Sequence, residues 1–278
     1  MQVPLPVNVS MWTVAYYRNN QMKQVVVIPA RLNSERFPNK ILLDLKGLPM
    51  IEHVRRRVLL AKNTEEVYIA TCDKEIREAL ELFGAKVIMT SNQHKNGTTR
   101  VAEAIENIDC SEVILVQGDE PLLLPRHLDS MIEAIRKDRE AVAWNATGPI
   151  EKEEELQRHS FVKAALYKSK ILYCFRKSPS VNDFKTQQNY IRKILGVIAY
   201  RKEFLMELTK MESTQIEQIE SIEQMRIIEK GYPIFSIPFE SSQPSINEPS
   251  EVSEVWSYVK NNLEQQDLLR QVLDFKLG

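Results

Sequence analysis

The chain has 278 residues, 43% hydrophobic and 27% charged, an ordinary mixture for a globular protein with a sizeable core. Its 37 basic and 38 acidic residues leave a net charge of −1, so nothing attracts nucleic acid or an anionic membrane in bulk, and any anion binding must be local. Cys72, Cys110 and Cys174 are widely spaced with no CxxC pair, which gives neither a disulfide framework nor a zinc site and fits a reducing, cytoplasmic setting.

Residues 1–20 lack a basic n-region and a clear apolar h-region, and 1–22 read as an N-terminal extension. No apolar run approaches the ~20 residues needed to span a bilayer. Val25-Val26-Val27-Ile28 reads as a strand buried on both faces, stopped by Pro29. The following loop holds Arg31, Arg36 and Lys40 among the turn formers Asn33, Ser34 and Asn39. Clustered cations at the end of a buried strand suggest an anion site, because Arg forks suit phosphate oxygens. The competing reading is a solvated basic loop. Having no glycine, the loop is neither a Walker loop nor a GxGxxG turn, so any grip on phosphate relies on side chains.

Apolar spacing predicts a helix over 51–62, then a strand over 66–71, a helix over 74–83 closed by Gly84, and a strand over 86–90. Val101, Ala104, Ile105 and Ile108 mark another helix, and 113–116 another buried strand. This alternation implies an α/β fold with a mostly parallel sheet and right-handed crossovers. Beyond a helix at 128–135 the pattern loosens into short strands at 141–147, 162–167 and 195–200, which suggests a smaller, partly antiparallel insertion. Thr214 and Glu217 form a capping box for a helix with Ile216, Ile219, Ile222 and Met225 on one side, ended at Gly231. After a strand at 234–238, Pro249 is placed to start a long final helix. Residues 23–278 read as one domain, with 148–212 as the inserted region.

Two further segments lie at strand ends. Val116-Gln117-Gly118-Asp119-Glu120-Pro121 follows the fourth buried strand, and ligands of open parallel sheets sit beyond carboxyl ends of this kind. Asp119 is the better candidate there for Mg²⁺ on a nucleotide, since Mg²⁺ prefers one or two carboxylates plus phosphate oxygens. An ordinary turn in which Gly118 permits a special backbone angle is the alternative. His94-Lys95-Asn96-Gly97-Thr98-Thr99-Arg100 precedes a helix, and taken alone Thr98 reads as an N-cap and Arg100 as a surface residue.

The stretch Ile28 to Lys40 resembles the IPAR…R-x-P-x-K signature of sugar-nucleotide cytidylyltransferases. His94–Arg100 and Val116–Pro121 are similar to the HxxGTxR and VQGDEP motifs of the 3-deoxy-manno-octulosonate branch. The likeness runs from Val25 to about Val255 and includes Ile222-Glu223-Gln224-Met225-Arg226, which resembles LEQLR. The resemblance implies a nucleotidyltransferase-type, Rossmann-like sheet flanked by helices. It also implies an Mg²⁺-dependent reaction in which the anomeric hydroxyl of an acidic 3-deoxy sugar attacks the α-phosphorus of CTP. By similarity Ala30, Arg31, Arg36 and Lys40 would hold the triphosphate, Gly97, Thr98 and Arg100 would lie near cytosine and ribose, and Asp119 would bind Mg²⁺. Gln117, Arg176, Glu223 and Gln224 would face the sugar. A cytoplasmic homodimer, with the inserted region near the interface, is the implied assembly, without nucleic-acid or membrane partners.

The chain also departs from that pattern. Asn247 stands where the family's VDTPED places a metal-binding Asp, and an amide is the weaker Mg²⁺ ligand. Ile194 and Ile198 stand where HIGIYAYR has a His and an aromatic near the sugar. The nucleotide half of the site reads as intact and the sugar half as altered. Three readings therefore stay open: octulosonate cytidylylation, the same chemistry on another acidic sugar, or a nucleotide-binding protein without turnover.

Overall fold

The computed structural model describes residues 23–34, 36–138 and 141–276, so the N-terminal extension expected over 1–22 lies outside the described residues. The chain divides into two compact units: Lys23–Ile132 with the C-terminal stretch from Gln243, and Glu133–Ser242.

In the first unit, strands β1 (Gln24–Ala30), β4 (Glu66–Thr71), β5 (Lys86–Met89) and β6 (Glu112–Val116) run parallel in the order β5-β4-β1-β6, and a small antiparallel pair, β2 (Asp44–Leu45) and β3 (Leu48–Pro49), stands apart. Val25 to Ile28 are at most 2% exposed, and burying each such side chain stabilises by roughly 1.5–3 kcal/mol. The strand does not stop at Pro29. It continues to Ala30, with Pro29 opposite Ala70 and Ala30 opposite Thr71 on β4. Pairing with β6 ends at Val27, so Pro29 sits where the strand has one neighbour and a missing N–H is tolerated.

Helices Met50–Leu59, Lys74–Glu81 and Gly97–Ile105 make the crossovers, and Pro125–Lys137 carries the chain onward. The long final helix is two helices, Glu251–Asn261 and Leu263–Leu273. Asn262 adopts an extended backbone and its side chain accepts from Gln265 N at 3.0 Å, capping the second. Helix formation begins two residues after Pro249.

The second unit is mixed. Strands β7 (Ala143–Gly148), β8 (Lys163–Tyr167), β9 (Lys170–Phe175), β10 (Ile191–Arg201) and β11 (Phe235–Pro238) lie in the order β10-β7-β11-β9-β8, with β11 parallel to β7 and the other neighbours antiparallel. The first residues of β10 also pair with β8, and a register shift between Ile194 and Ile198 lets its remainder follow β7. The single helix expected from Thr214 to Gly231 is broken into Gln215–Glu220 and Gln224–Glu229. Ser221 in the left-handed region (φ 53°) closes the first, which leaves Ile219 72% exposed instead of on a common apolar face.

Candidate active site

Four loops of the first unit gather the chemistry-bearing residues, one after each parallel strand. The loop after β1 has no glycine, yet it folds tightly because the Leu32 carbonyl accepts from both Ser34 N and Asn39 N at 2.9 Å. Asn39 takes the left-handed conformation (φ 60°), which Asn tolerates, and starts the 3₁₀ turn Lys40–Leu42. Asp73, past β4, accepts from Leu32 N at 2.8 Å and so ties this loop to its neighbour.

Lys40 is buried, and its Nζ donates to Asp119 Oδ2 at 2.6 Å and to the Ile246 carbonyl at 3.0 Å. The Ile246 amide in turn donates to the Asp119 carbonyl at 3.2 Å. Arg36 is exposed and donates from Nη2 to Asn247 Oδ1 at 3.2 Å, while Asn247 Nδ2 donates to Ser245 Oγ at 3.0 Å. Glu251 accepts from both Asn247 N and Glu248 N through one oxygen, which holds this segment at the head of its helix. Arg31 is exposed and reaches the Lys95 carbonyl at 3.4 Å. Ala30 is the buried last residue of β1, and Gln117 is half-buried just past β6.

The loop after β5 differs from the sequence reading in two places. Asn96, not Thr98, is the N-cap, accepting from Thr99 N at 3.0 Å, and Thr98 is buried one residue inside the helix that Gly97 opens. Arg100 is not a surface residue: it is 3% exposed and its Nη1 donates to Thr90 Oγ1 at 2.6 Å. His94 binds the Glu103 carboxylate, and that hydrogen bond holds the Glu103 pKa below the usual range.

Gly118 needs no unusual angle, since it is absent from the positive-φ glycines. Its importance is space. A Cβ there would lie 3.0 Å from Ile41 Cδ1 and 3.3 Å from the Pro29 carbonyl, and a Cβ at Gly97 would lie 3.0 Å from Pro29 Cγ.

Of the residues assigned to the sugar side, Gln117 lies in the first unit and Arg176, Glu223 and Gln224 lie in the second. Arg176 donates from Nε to Glu220 O at 2.7 Å, from Nη2 to Ser221 O at 3.0 Å and from Nη1 to His159 O at 3.2 Å, so its guanidinium serves the carboxyl end of helix Gln215–Glu220. Glu223 precedes helix Gln224–Glu229, and Gln224 is buried with Nε2 donating to Asn145 Oδ1 at 2.9 Å. Ile194 and Ile198 flank the irregularity of β10. Cys174 is buried and its thiol is pushed up to about 12, an inert group.

Asp73, Glu251 and Asn145 escaped the sequence reading. Asp73 and Glu251 follow ordinary helix-start patterns, and nothing in a single sequence tells a capping carboxylate from one that braces a loop. Asn145 is a fully buried amide in a strand, visible only through its partners.

The donor set suits Mg²⁺ only when a nucleotide brings it. Among the described residues no group of three or more His, Cys, Asp or Glu could cage an ion. Asp119 Oδ1 has no protein partner there and is open to a cation carried on phosphate, which needs one or two protein carboxylates. The acceptor oxygen of Asn247 faces Arg36.

The cytidylyltransferase family model matches residues 25–237. The 3-deoxy-manno-octulosonate cytidylyltransferase of Escherichia coli is 32% identical over 241 residues, covering 87% of this chain and 98% of that protein. The 8-amino-3,8-dideoxy-manno-octulosonate cytidylyltransferase of Shewanella piezotolerans is 34% identical over 242 residues, covering 83% and 96%. A solved CMP:2-keto-3-deoxy-manno-octonic acid synthetase complexed with CTP superimposes with a TM-score of 0.80 at 32% identity, over 87% of this chain and all of that one. Matches of this extent, over both units and all four loops, leave one assignment: the chain belongs to the 3-deoxy-manno-octulosonate cytidylyltransferase family.

Proposed function

We propose that the protein transfers the cytidylyl group of CTP to the anomeric hydroxyl of 3-deoxy-manno-octulosonate, activating this sugar for lipopolysaccharide synthesis. The observation that carries the reading is the buried Lys40 paired with Asp119 at the carboxyl ends of β1 and β6, with Arg31 and Arg36 exposed beside it on one loop. The anomeric C–O–H oxygen forms a bond to the α-phosphorus, the α–β phosphoanhydride bond breaks, pyrophosphate leaves, and the hydroxyl proton passes to solvent. Such a transfer is chiefly positioning and charge neutralisation. Arg31 and Arg36 grip the triphosphate with planar forks, and Lys40 adds a point charge against the departing pyrophosphate. Gly97, Thr98 and Arg100 belong to the cytosine and ribose side, and Gln117, Glu223 and Gln224 to the sugar.

Asp119 is the residue to hold Mg²⁺, with phosphate oxygens completing its shell. When bound, the ion offsets phosphate charge and acidifies the attacking hydroxyl. A cytoplasmic homodimer is part of the same reading. The 34% identity to an amino-octulosonate enzyme favours one second reading, the same transfer to an 8-amino-substituted octulosonate.

The test is pyrophosphate release from CTP and Mg²⁺ with 3-deoxy-manno-octulosonate, its 8-amino congener and a nonulosonate, with Asp119→Ala as control. Turnover of the octulosonate is the expected result. Turnover of only another sugar replaces the substrate, and silence across the panel with CTP still bound overturns the enzyme reading.

A further inference from the structure

Asn145 and Thr147 lie two residues apart on β7, so they share one face of the strand with their Cα atoms about 7 Å apart. Across the ladder Ile198 pairs with Asn145 and Ile194 with Thr147, the two places where the sugar half departs from the family pattern. Each of the two β7 residues holds a second polar side chain. Gln224 Nε2 donates to Asn145 Oδ1 at 2.9 Å. Arg192 donates from Nε to Thr147 Oγ1 at 2.9 Å, and from Nη2 to the carbonyls of Thr147 at 3.1 Å and Phe239 at 2.8 Å. Arg192 precedes Ile194 by two residues on β10, which puts it on the same face as that position.

The orientation of Gln224 follows from hydrogen-bond capacity. Asn145 Nδ2 donates to Ala146 O at 2.8 Å and Leu195 O at 3.1 Å, so both its hydrogens are in use and its Oδ1 must accept. Gln224 therefore presents Nε2 to Asn145 and keeps Oε1 for a hydroxyl donor.

Arg192 is the less ordinary group. It is half-buried, all three of its acceptors are neutral, and Nη1 has no partner among the described residues. Burial lowers its pKa, and among the described residues no carboxylate counters that shift. A desolvated cation without a counter-charge is costly, and an anion that arrives at Nη1 removes the cost. Arg176, by contrast, has its guanidinium occupied by three carbonyls.

We infer that Arg192 is the carboxylate anchor for the acidic sugar, meeting it end-on through Nη1, while Gln224, oriented by Asn145, accepts from a sugar hydroxyl. The inference rests on the proposed function and names a binding residue for that substrate at a position outside the family motifs. Lys is a poor substitute, because a point charge cannot keep the Thr147 and Phe239 bonds while reaching a ligand.

The experiment compares Arg192→Met and Arg192→Lys with the unaltered enzyme, using 3-deoxy-manno-octulosonate and its C1 carboxamide, each titrated at saturating CTP and Mg²⁺. A charge-assisted contact predicts a KM for the acid raised about tenfold to hundredfold in Arg192→Met, with the KM for CTP unchanged. The unaltered enzyme should prefer acid over amide by a similar factor, and Arg192→Met should lose that preference. Arg192→Lys should keep part of it, which preserves the test should the Met variant fold poorly. Retention of the full acid preference in both variants overturns the inference while leaving the proposed function standing. A raised KM for CTP with the sugar KM unmoved assigns the guanidinium to phosphate and likewise overturns it. An unaltered enzyme silent with octulosonate and its 8-amino congener overturns the proposed function, and this inference with it.

Discussion

Lys40 Nζ lies 2.6 Å from Asp119 Oδ2, and this pair joins the first motif of the chain to the third across 79 residues. It neutralises in advance two charges that the proposed reaction would use separately, the cation for phosphate and the anion for a metal. Removing either partner strands the other in a largely dry setting. Asp119→Ala should lower stability by about 1–3 kcal/mol, less than a fully buried pair costs because Asp119 retains 22% side-chain exposure, and should abolish turnover. Denaturant unfolding of Asp119→Ala, Lys40→Met and the double variant checks this. Strictly additive losses would show the pair to be unimportant for the fold.

Asn247→Asp replaces an amide whose oxygen faces Arg36 with a carboxylate at the same spot. The exposed ion pair so formed should add at most about 0.5 kcal/mol to stability. The larger effect should be on Mg²⁺, where a second carboxylate raises apparent affinity several-fold in a titration of activity at fixed CTP. An unchanged titration would show that position 247 does not reach the ion.

Asn145→Ala should destabilise by about 2–4 kcal/mol, because two backbone carbonyls and the Gln224 amide lose partners inside the second unit. Its kinetic signature should be a raised KM for the sugar with little change for CTP. A variant that loses only stability, with both KM values intact, would separate Asn145 from substrate orientation.

His53 supplies a pH prediction. The imidazole is 2% exposed, bonds the Leu45 carbonyl through Nε2 at 2.6 Å, and has its pKa lowered to about 4 chiefly by burial. Because the folded state resists protonation that the unfolded chain accepts near 6.5, the stability contribution is complete above pH 6.5 and is lost as pH falls toward 4. The difference is about 3 kcal/mol over that window. His53→Gln keeps a donor without the titration, so thermal melts of this variant should lose less between pH 6.5 and pH 4 than the unaltered protein. Parallel curves would place the acid sensitivity elsewhere.

Much of the first unit was legible because its signals are local. The strand at 66–71 falls where the apolar run predicts it, and Gly84 past helix Lys74–Glu81 has the positive φ expected of a helix terminator. The clustered cations of the Arg31 loop were visible in the sequence, and charge alone left that loop open between an anion site and a solvated basic turn. What stayed hidden depends on neighbours distant in sequence. Pro29 continues a strand because β6 has already parted from it. Ser221 breaks a helix whose apolar spacing looked continuous, and Arg176 meets the carbonyls left at that break. Arg192 carries no motif, and only its bonds to Thr147 on β7 and to the Phe239 carbonyl distinguish it from a surface arginine.

Gly97 and Gly118 each leave room for Pro29, one beside its ring and one beside its carbonyl. The proline thus acts as a spacer gauge: the loop bearing the three cations, the loop assigned to the base and the loop bearing Asp119 are all set against a single residue. A side chain at either glycine would press on Pro29 and shift the loops set against it, so in the proposed reaction an error there would be felt at both ends of the nucleotide. Pro29 is for this reason held by packing on two sides, and, though it forms no bond to any substrate group in the proposed reaction, it helps set the spacing between the loops to which that reaction assigns the two ends of CTP.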